Sequence, residues 1–293
     1  MTTRILVLPG IGDVYWVMVK LQDWMRQQEI TDPEIWVWDF DQRPRSREYI
    51  ERIPFVKFGG YYHDRDKSGP EFQESYIMAG RVVYSGFRDF DYYIAFNGIL
   101  RAGLTLDDAM PGVASDWFFP LDQTRKEEAA SAGYRLAYPT GYIVAFFSDH
   151  GMFGHWVREW GADECAALVT RLREETNLPV LLTGSHWDRT FAAQVAERSD
   201  AVDLTCKTDA DQFFALFRHA KACVGWCGGN TILSTYFRVP TVIGWHRYFQ
   251  HAGFYANACP PSALGQWYQP IVVGYHQPAD AVCNLLRLMA RQR

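Results

Sequence analysis

Apolar residues along the chain fall into short β-rich runs separated by stretches of helical period. Arg4–Pro9 reads as a strand that ends in Pro9-Gly10-Ile11-Gly12-Asp13, and a helical stretch, Val17–Gln28, follows. Glu34–Trp38, Pro54–Phe58 and Tyr92–Phe96 are the next strand candidates, and Leu121–Tyr138 reads as helix before a turn at Pro139-Thr140-Gly141. The pattern then restarts. Tyr142–Phe147, Pro179–Thr183, Ala201–Leu204, Ala222–Trp226 and Pro240–Gly244 read as strands. Ala162–Thr176, Arg189–Arg198, Ala210–His219 and Thr231–Phe237 are the intervening helices, and Pro278–Arg291 closes the chain with proline in its first turn.

Strands alternating with helices predict parallel sheets built from βαβ units. The expected fold is α/β, with two Rossmann-like doubly wound domains facing a cleft. Residues 1–139 form the first domain, 140–276 the second, and 277–293 a C-terminal helix. Ligands of such folds bind beyond the carboxyl ends of the strands. The chemistry is therefore sought in the strand-end loops.

Composition narrows the classes. At 293 residues, 48% hydrophobic and 22% charged, the chain is globular. The net charge of −5 argues against indiscriminate nucleic-acid binding. Residues 1–140 carry all of that net charge, and 141–293 balance to zero, which makes the second half the easier host for an anionic ligand. The start of the chain has no apolar signal-like stretch, no run is long enough to span a membrane, and the six cysteines form no CxxC pair. Reduced thiols in a cytoplasmic protein without a zinc site are expected.

Four loops carry candidate chemistry. In the Gly10–Asp13 turn, Asp13 is either a helix cap or a general base. Phe147-Ser148-Asp149-His150-Gly151 ends the first strand of the second half, with small polar residues that suit a phosphate. Thr183-Gly184-Ser185-His186 offers hydroxyls and backbone N–H groups. Gly225-Trp226-Cys227-Gly228-Gly229-Asn230-Thr231 turns from strand into helix, with Asn230 or Thr231 as the cap and amides that suit a diphosphate.

Three segments resemble the heptosyltransferase-like glycosyltransferases, family nine. Ile5–Leu21 (ILVLPGIGDVYWVMVKL) is similar to that family's opening strand, Gly-Asp turn and first helix. Ser148–Trp156 (SDHGMFGHW) is similar to its donor-side loop, and Cys206–Gly244 to its helix, strand, glycine turn and Pro-Thr-Val strand. The resemblance implies the GT-B fold and an inverting, metal-independent transfer of a hexosyl or heptosyl group, with no cofactor beyond the nucleotide-sugar co-substrate. It implies Asp13 as base, with Gly12 beside it on the acceptor side. Taken with the strand-end loops, it makes residues 1–139 the acceptor-side domain and 140–276 the nucleotide-sugar domain, with Ser148, His150, Thr183, Gly184, Ser185, Gly228, Gly229 and Asn230 as the expected donor contacts. The chain departs from the family where an Asp-Thr/Ser-Gly-x-x-His pattern is usual. Cys227, Gly228, Gly229 and Ile232 stand there, and Gly154 occupies the position of the donor-loop lysine.

An acceptor patch is expected at Arg43, Arg45 and Arg47, with Tyr61, Tyr62 and His63 nearby for stacking. A phosphorylated saccharide fits it, and so does a modified base flipped from DNA; the acidic charge places the saccharide first. A competing reading takes the Asp-x-Asp triplets at Asp39, Asp64 and Asp89 as a site for a divalent ion. Two others are a catalytically silent nucleotide-sugar-binding relative and a sugar-nucleotide epimerase.

Overall fold

The computed structural model describes residues 2–39, 46–63, 82–87, 89–147, 160–245, 252–273 and 275–292. The chain divides into two units: Met1–Gln123 with His251–Ala258, and Thr124–Gln250 with Cys259–Arg293.

In the first unit the elements are β1 (Thr3–Val7), α1 (Ile11–Gln27), β2 (Pro33–Trp38), α2 (Arg47–Ile50), β3 (Lys57–Tyr62), β4 (Val83–Phe87), β5 (Phe90–Ile94), α3 (Asn97–Arg101) and α4 (Leu106–Ala109). The sheet runs β3-β2-β1-β5-β4, parallel except for β4, which forms a hairpin with β5. Helix α1 starts six residues before its predicted start at Val17, because Gly10 is its N-cap. Its Val, Tyr and Trp residues are mediocre helix formers, but Val14, Tyr15, Trp16, Val17, Met18 and Val19 are all buried, and tertiary packing decides the conformation.

Strand β3 lies later than the predicted Pro54–Phe58. Its Gly59-Gly60 pair, which reads as a strand breaker, sits under the Trp36 indole; a Cβ on Gly59 would stand 2.2 Å from Trp36 Nε1. The register shifts at this point, between Ile35 and Trp36.

The second unit contains α5 (Arg125–Ala137), β6 (Ile143–Phe146), α6 (Ala162–Thr176), β7 (Val180–Leu182), α7 (Arg189–Ser199), β8 (Val202–Asp203), α8 (Ala210–Arg218), β9 (Ala222–Trp226), α9 (Gly229–Tyr236) and β10 (Thr241–Trp245). It then adds a 3-10 turn (Pro261–Ala263), β11 (Tyr268–Val272) and α11 (Pro278–Ala290). All its strands are parallel, in the order β11-β10-β9-β6-β7-β8. The core between sheet and helices holds Ile143, Ala145, Leu168, Val169, Leu172, Val195, Val224 and Val242.

The division between units falls at 123/124 rather than at 139/140. Helix α5 belongs to the second unit because Glu127, fully buried, accepts from Arg218 Nε at 2.7 Å, and Thr124 Oγ1 donates to Asp211 Oδ1 at 2.5 Å. Helix α11 is likewise no separate segment: Ala281, Val282, Leu285 and Leu288 complete the second unit's core. Between β10 and the 3-10 turn the chain returns to the first unit through α10 (Ala252–Asn257), where Trp16 Nε1 donates to Ala258 O at 2.8 Å.

Candidate functional site

In the first unit the strand order reverses between β1 and β5, so the carboxyl ends of these two strands flank the switch point. The turn after β1 and the turn after β5 both deliver a polar side chain there. Asp13 lies in the first turn of α1 and is not its cap; Gly10 is, and it offers no side-chain bond. Asn97, the first residue of α3, donates from Nδ2 to Asp13 Oδ1 at 3.0 Å. Gly10 leaves room for the carboxylate: a Cβ there would lie 2.4 Å from Asp13 Oδ2. Gly12 is buried beside it in the same turn. The loop is braced from below by Ser46, whose buried Oγ donates to Pro9 O at 2.6 Å. Ser46 adopts the left-handed conformation, φ 71°, to do so.

Asn97 and Ser46 are absent from the residues singled out in the sequence. An Asn-Gly pair directly after the strand run ending at Phe96 was the available signal for Asn97. Ser46 carried none.

In the second unit the order reverses between β6 and β9. The turn after β9 is packed tightly on β6. A Cβ on Gly225 would lie 2.3 Å from Phe146 O, and one on Gly228 3.0 Å from Phe146 Cε1. The cap of α9 is Gly228 rather than Asn230 or Thr231. The Thr231 hydroxyl reaches back instead: it accepts from Gly228 N at 3.2 Å and lies 3.1 Å from Trp226 O and 3.0 Å from Gly228 O. With Gly229 and Asn230 in the first turn, their amides lack intrahelical acceptors, the usual anion-binding condition of a helix start. Ile232, at the family's histidine position, is buried at 2% exposure and faces the core.

The Thr183-Gly184-Ser185 turn follows β7 on the same strand-end side. Its Ser185 amide already donates to Asp188 Oδ2 at 2.8 Å, and a Cβ on Gly184 would meet that carboxylate at 2.9 Å. Buried Asp188 thus already takes up the Ser185 amide, which leaves the turn one fewer N–H for a phosphate. The Thr183 hydroxyl is buried with no hydrogen-bond partner among the described residues. Ser148 and His150 lie outside the described residues.

On the proposed acceptor side, Arg43 and Arg45 also lie outside the described residues. Arg47 opens α2 and is engaged locally: Nε is 2.7 Å from Glu51 Oε1, and the guanidinium lies 5.6 Å from the Phe58 ring centre. The Glu51 carboxylate raises the Arg47 pKa further. Tyr62 packs on Phe90 at 4.9 Å between ring centres, and Trp36 and Trp38 occupy strand positions. Of the Asp-x-Asp triplets, Asp89-Phe90-Asp91 spans the β4–β5 hairpin, where Asp91 Oδ2 accepts the Arg4 amide at 2.7 Å. That is the amino end of β1, opposite to Asp13. Asp39 is buried with Oδ2 3.2 Å from His63 Nδ1. Asp41, Asp64 and Asp66 lie outside the described residues.

No protein-family model and no curated protein matches the chain. Solved structures do. The ADP-heptose lps heptosyltransferase II of E. coli is 13% identical over 100% of this chain and 99% of its own, with a TM-score of 0.64. A glycosyl transferase of family 9 from Veillonella parvula DSM 2008 is 10% identical over 99% and 97%, with a TM-score of 0.65. The chain has the GT-B fold. A third GT-B match is the UDP-GlcNAc 2-epimerase of Methanocaldococcus jannaschii, in complex with UDP-GlcNAc and UDP, at 10% identity, 99% and 93% coverage and a TM-score of 0.51. The first two fall in the family that the three sequence segments resemble. At these identities the GT-B likeness concerns the fold. No helix among the described residues is long and apolar enough to cross a membrane.

Proposed function

We propose that the protein is a glycosyltransferase that moves a hexosyl or heptosyl group, with inversion and without a metal, from a nucleotide sugar to a hydroxyl of a saccharide acceptor. One observation carries the reading. Asp13 is an acid in the first turn of α1, at the β1/β5 switch point, where Gly10 and not Asp13 is the helix cap and Asn97 donates to the carboxylate.

The chemistry needs three events. The acceptor hydroxyl loses its proton to the Asp13 carboxylate. Its oxygen attacks the anomeric carbon from the face opposite the leaving group. The bond from that carbon to the diphosphate oxygen breaks, and the nucleoside diphosphate leaves with the electron pair. The first-turn amides of Gly229 and Asn230 supply partial positive charge for the departing diphosphate, the part a divalent ion takes in other enzymes. Gly228, Thr183, Gly184, Ser148 and His150 complete the donor side in this reading, with Ser185 already bonded to Asp188.

The test is release of nucleoside diphosphate from UDP-, GDP-, ADP- and CDP-linked sugars in EDTA, with and without saccharide acceptors. Acceptor-dependent release by the native protein, lost in Asp13→Asn with donor binding retained, is the expected result. Full turnover by Asp13→Asn removes the base. Loss in EDTA with recovery in manganese replaces the mechanism with a metal-dependent one. The likeness to an epimerase supports a second reading, in which donor is converted with no acceptor; sugar isomerisation in the acceptor-free arm would select it.

A further inference from the structure

We propose that Asn97 is the positioning residue for the Asp13 carboxylate, fixing the orientation in which that group receives a proton. The proposal rests on the reading of Asp13 as the base, and its primary test does not depend on turnover. The two side chains are 84 positions apart in sequence, and the fold brings them together because β1 and β5 are adjacent strands whose following helices start at the same edge of the sheet. Their bond is 3.0 Å, within the range for an amide donor and a carboxylate.

The direction of the amide is forced. An ionised carboxylate only accepts, so the Asn97 NH₂ faces it and the Asn97 carbonyl faces away. That carbonyl oxygen, Oδ1, is buried with no hydrogen-bond partner among the described residues. An asparagine serving the fold alone gains from satisfying both ends of its amide. Here one end has no partner among the described residues while the other holds Asp13, a cost to folding that the contact with the carboxylate accounts for. Gly10 supports the same assignment from the opposite side, since any side chain there would press on Asp13 Oδ2. The carboxylate therefore accepts from Asn97 at Oδ1 and packs close to Gly10 at Oδ2, and both contacts limit its rotation about the Cβ–Cγ bond.

A donor to the charged form favours ionisation. The readout is the carboxyl carbon of Asp13, followed by ¹³C NMR across a pH titration of protein labelled at its aspartates, with Asp13→Asn identifying the signal. In Asn97→Ala the apparent pKa of Asp13 should rise by about half a unit or more. In Asn97→Asp, which preserves side-chain size and keeps the test open if the alanine variant does not fold, the two carboxyl groups should titrate in two separated steps. A purely structural role for Asn97 would lower thermal stability without moving the Asp13 titration. Titrations within about 0.2 units of the native protein in both variants would overturn the proposal. Turnover gives the independent arm: with a donor found by the sugar-nucleotide panel, Asn97→Ala should lose kcat about tenfold with donor KM nearly unchanged. If Asp13→Asn retains full turnover while the NMR shift is present, the base assignment fails and the positioning contact stands.

Discussion

The Gly10–Asp13 turn shows how one missing methyl group decides what an acid does. Aspartate near a helix start is usually a cap, and from sequence alone the two roles of Asp13 could not be separated. The structure removes the cap, because Gly10 occupies that position with ordinary dihedrals, φ −71° and ψ 143°, which any residue can adopt. Gly10 is therefore not required for backbone freedom. It is required for space, since a Cβ would lie 2.4 Å from Asp13 Oδ2. Gly10→Ala should accordingly change folding stability by no more than about 1 kcal/mol, the scale of a cap substitution. It should also turn the Asp13 side chain away and lower kcat by about 100-fold, the loss expected of a misplaced catalytic group. Urea unfolding beside turnover measures both; a large stability loss with normal kcat would show that the glycine serves the backbone. The turn that carries Asp13 was legible in the sequence because Gly-Asp after a strand is a local pattern. Asn97 and Asp188 were not, since each acts on a partner reached through strand order or a tight turn, and neither type of residue announces that by spacing.

Among the secondary elements, the alternation of short apolar runs with helical stretches predicts the parallel strands of both units, though not the antiparallel edge strand β4 of the first. The misplacements have specific causes. Strand β3 starts later than the apolar run predicts because Gly59-Gly60 reads as a break, whereas the Trp36 indole fills the space that two side chains would need. Strand β11 has no clear sequence signal because Pro270 interrupts an otherwise β-like run, and the edge of the sheet is where a strand tolerates it. The boundary at 139/140 followed the visible Pro139-Thr140-Gly141 turn, while the buried Glu127–Arg218 pair that ties α5 to the second unit has no local signature.

The glycines of the β9 turn can be sorted in the same way. Gly225 opposes backbone, Phe146 O at 2.3 Å, and a methyl there must push strands apart; Gly225→Ala should cost about 1–3 kcal/mol. Gly228 is extended, φ −177°, and opposes only the edge of the Phe146 ring, so Gly228→Ala should cost about 1 kcal/mol or less while weakening nucleotide-sugar binding. Chemical denaturation of both variants checks the order. The reverse order would mean that β9 and β6 yield more easily than the ring does.

For the whole molecule, the charge asymmetry between the halves reappears as a difference in what holds each unit against pH. In the first unit the carboxyl groups of Asp23, Asp32, Asp107 and Asp108 lie below the ordinary value of 3.8. The first causes are the Ala114 amide for Asp23, Lys57 for Asp32, Lys20 for Asp107 and the Thr105 amide for Asp108. The Lys20 ammonium is fully buried, and it bonds Asp107 and, at 2.6 Å, Val113 O, so it fastens the segment after α4 to α1. In the second unit burial pushes Tyr134, Cys223 and Cys259 up to about 12 and raises Tyr142 and Tyr268 as well.

The signs are opposite. A depressed carboxyl pKa contributes stability above its unfolded value, and that contribution is lost as pH falls through the folded one. A raised phenol or thiol pKa contributes stability below its unfolded value, 10.0 or 9.0 here, and loses it as pH rises through the folded value. Burial lowers His219 in the second unit, and burial raises Tyr61 and the bond to Asp32 raises Lys57 in the first, so each unit also carries groups of the opposite sense. The four depressed carboxyl groups outnumber His219 and the five raised phenols and thiols outnumber Tyr61 and Lys57, so acid should loosen the first unit before the second, and alkali the second before the first. Brief proteolysis followed by mass spectrometry locates the opening: pepsin at about pH 3 should cut first within residues 2–123, and an alkaline protease at about pH 10.5 within 124–245 or 259–292. Asp107→Asn, which removes a charge that Lys20 holds, should flatten the acid limb of the first unit's stability and leave the alkaline cleavage order unchanged. Cleavage in the same unit at both extremes would show that these ionisations do not govern which unit opens first.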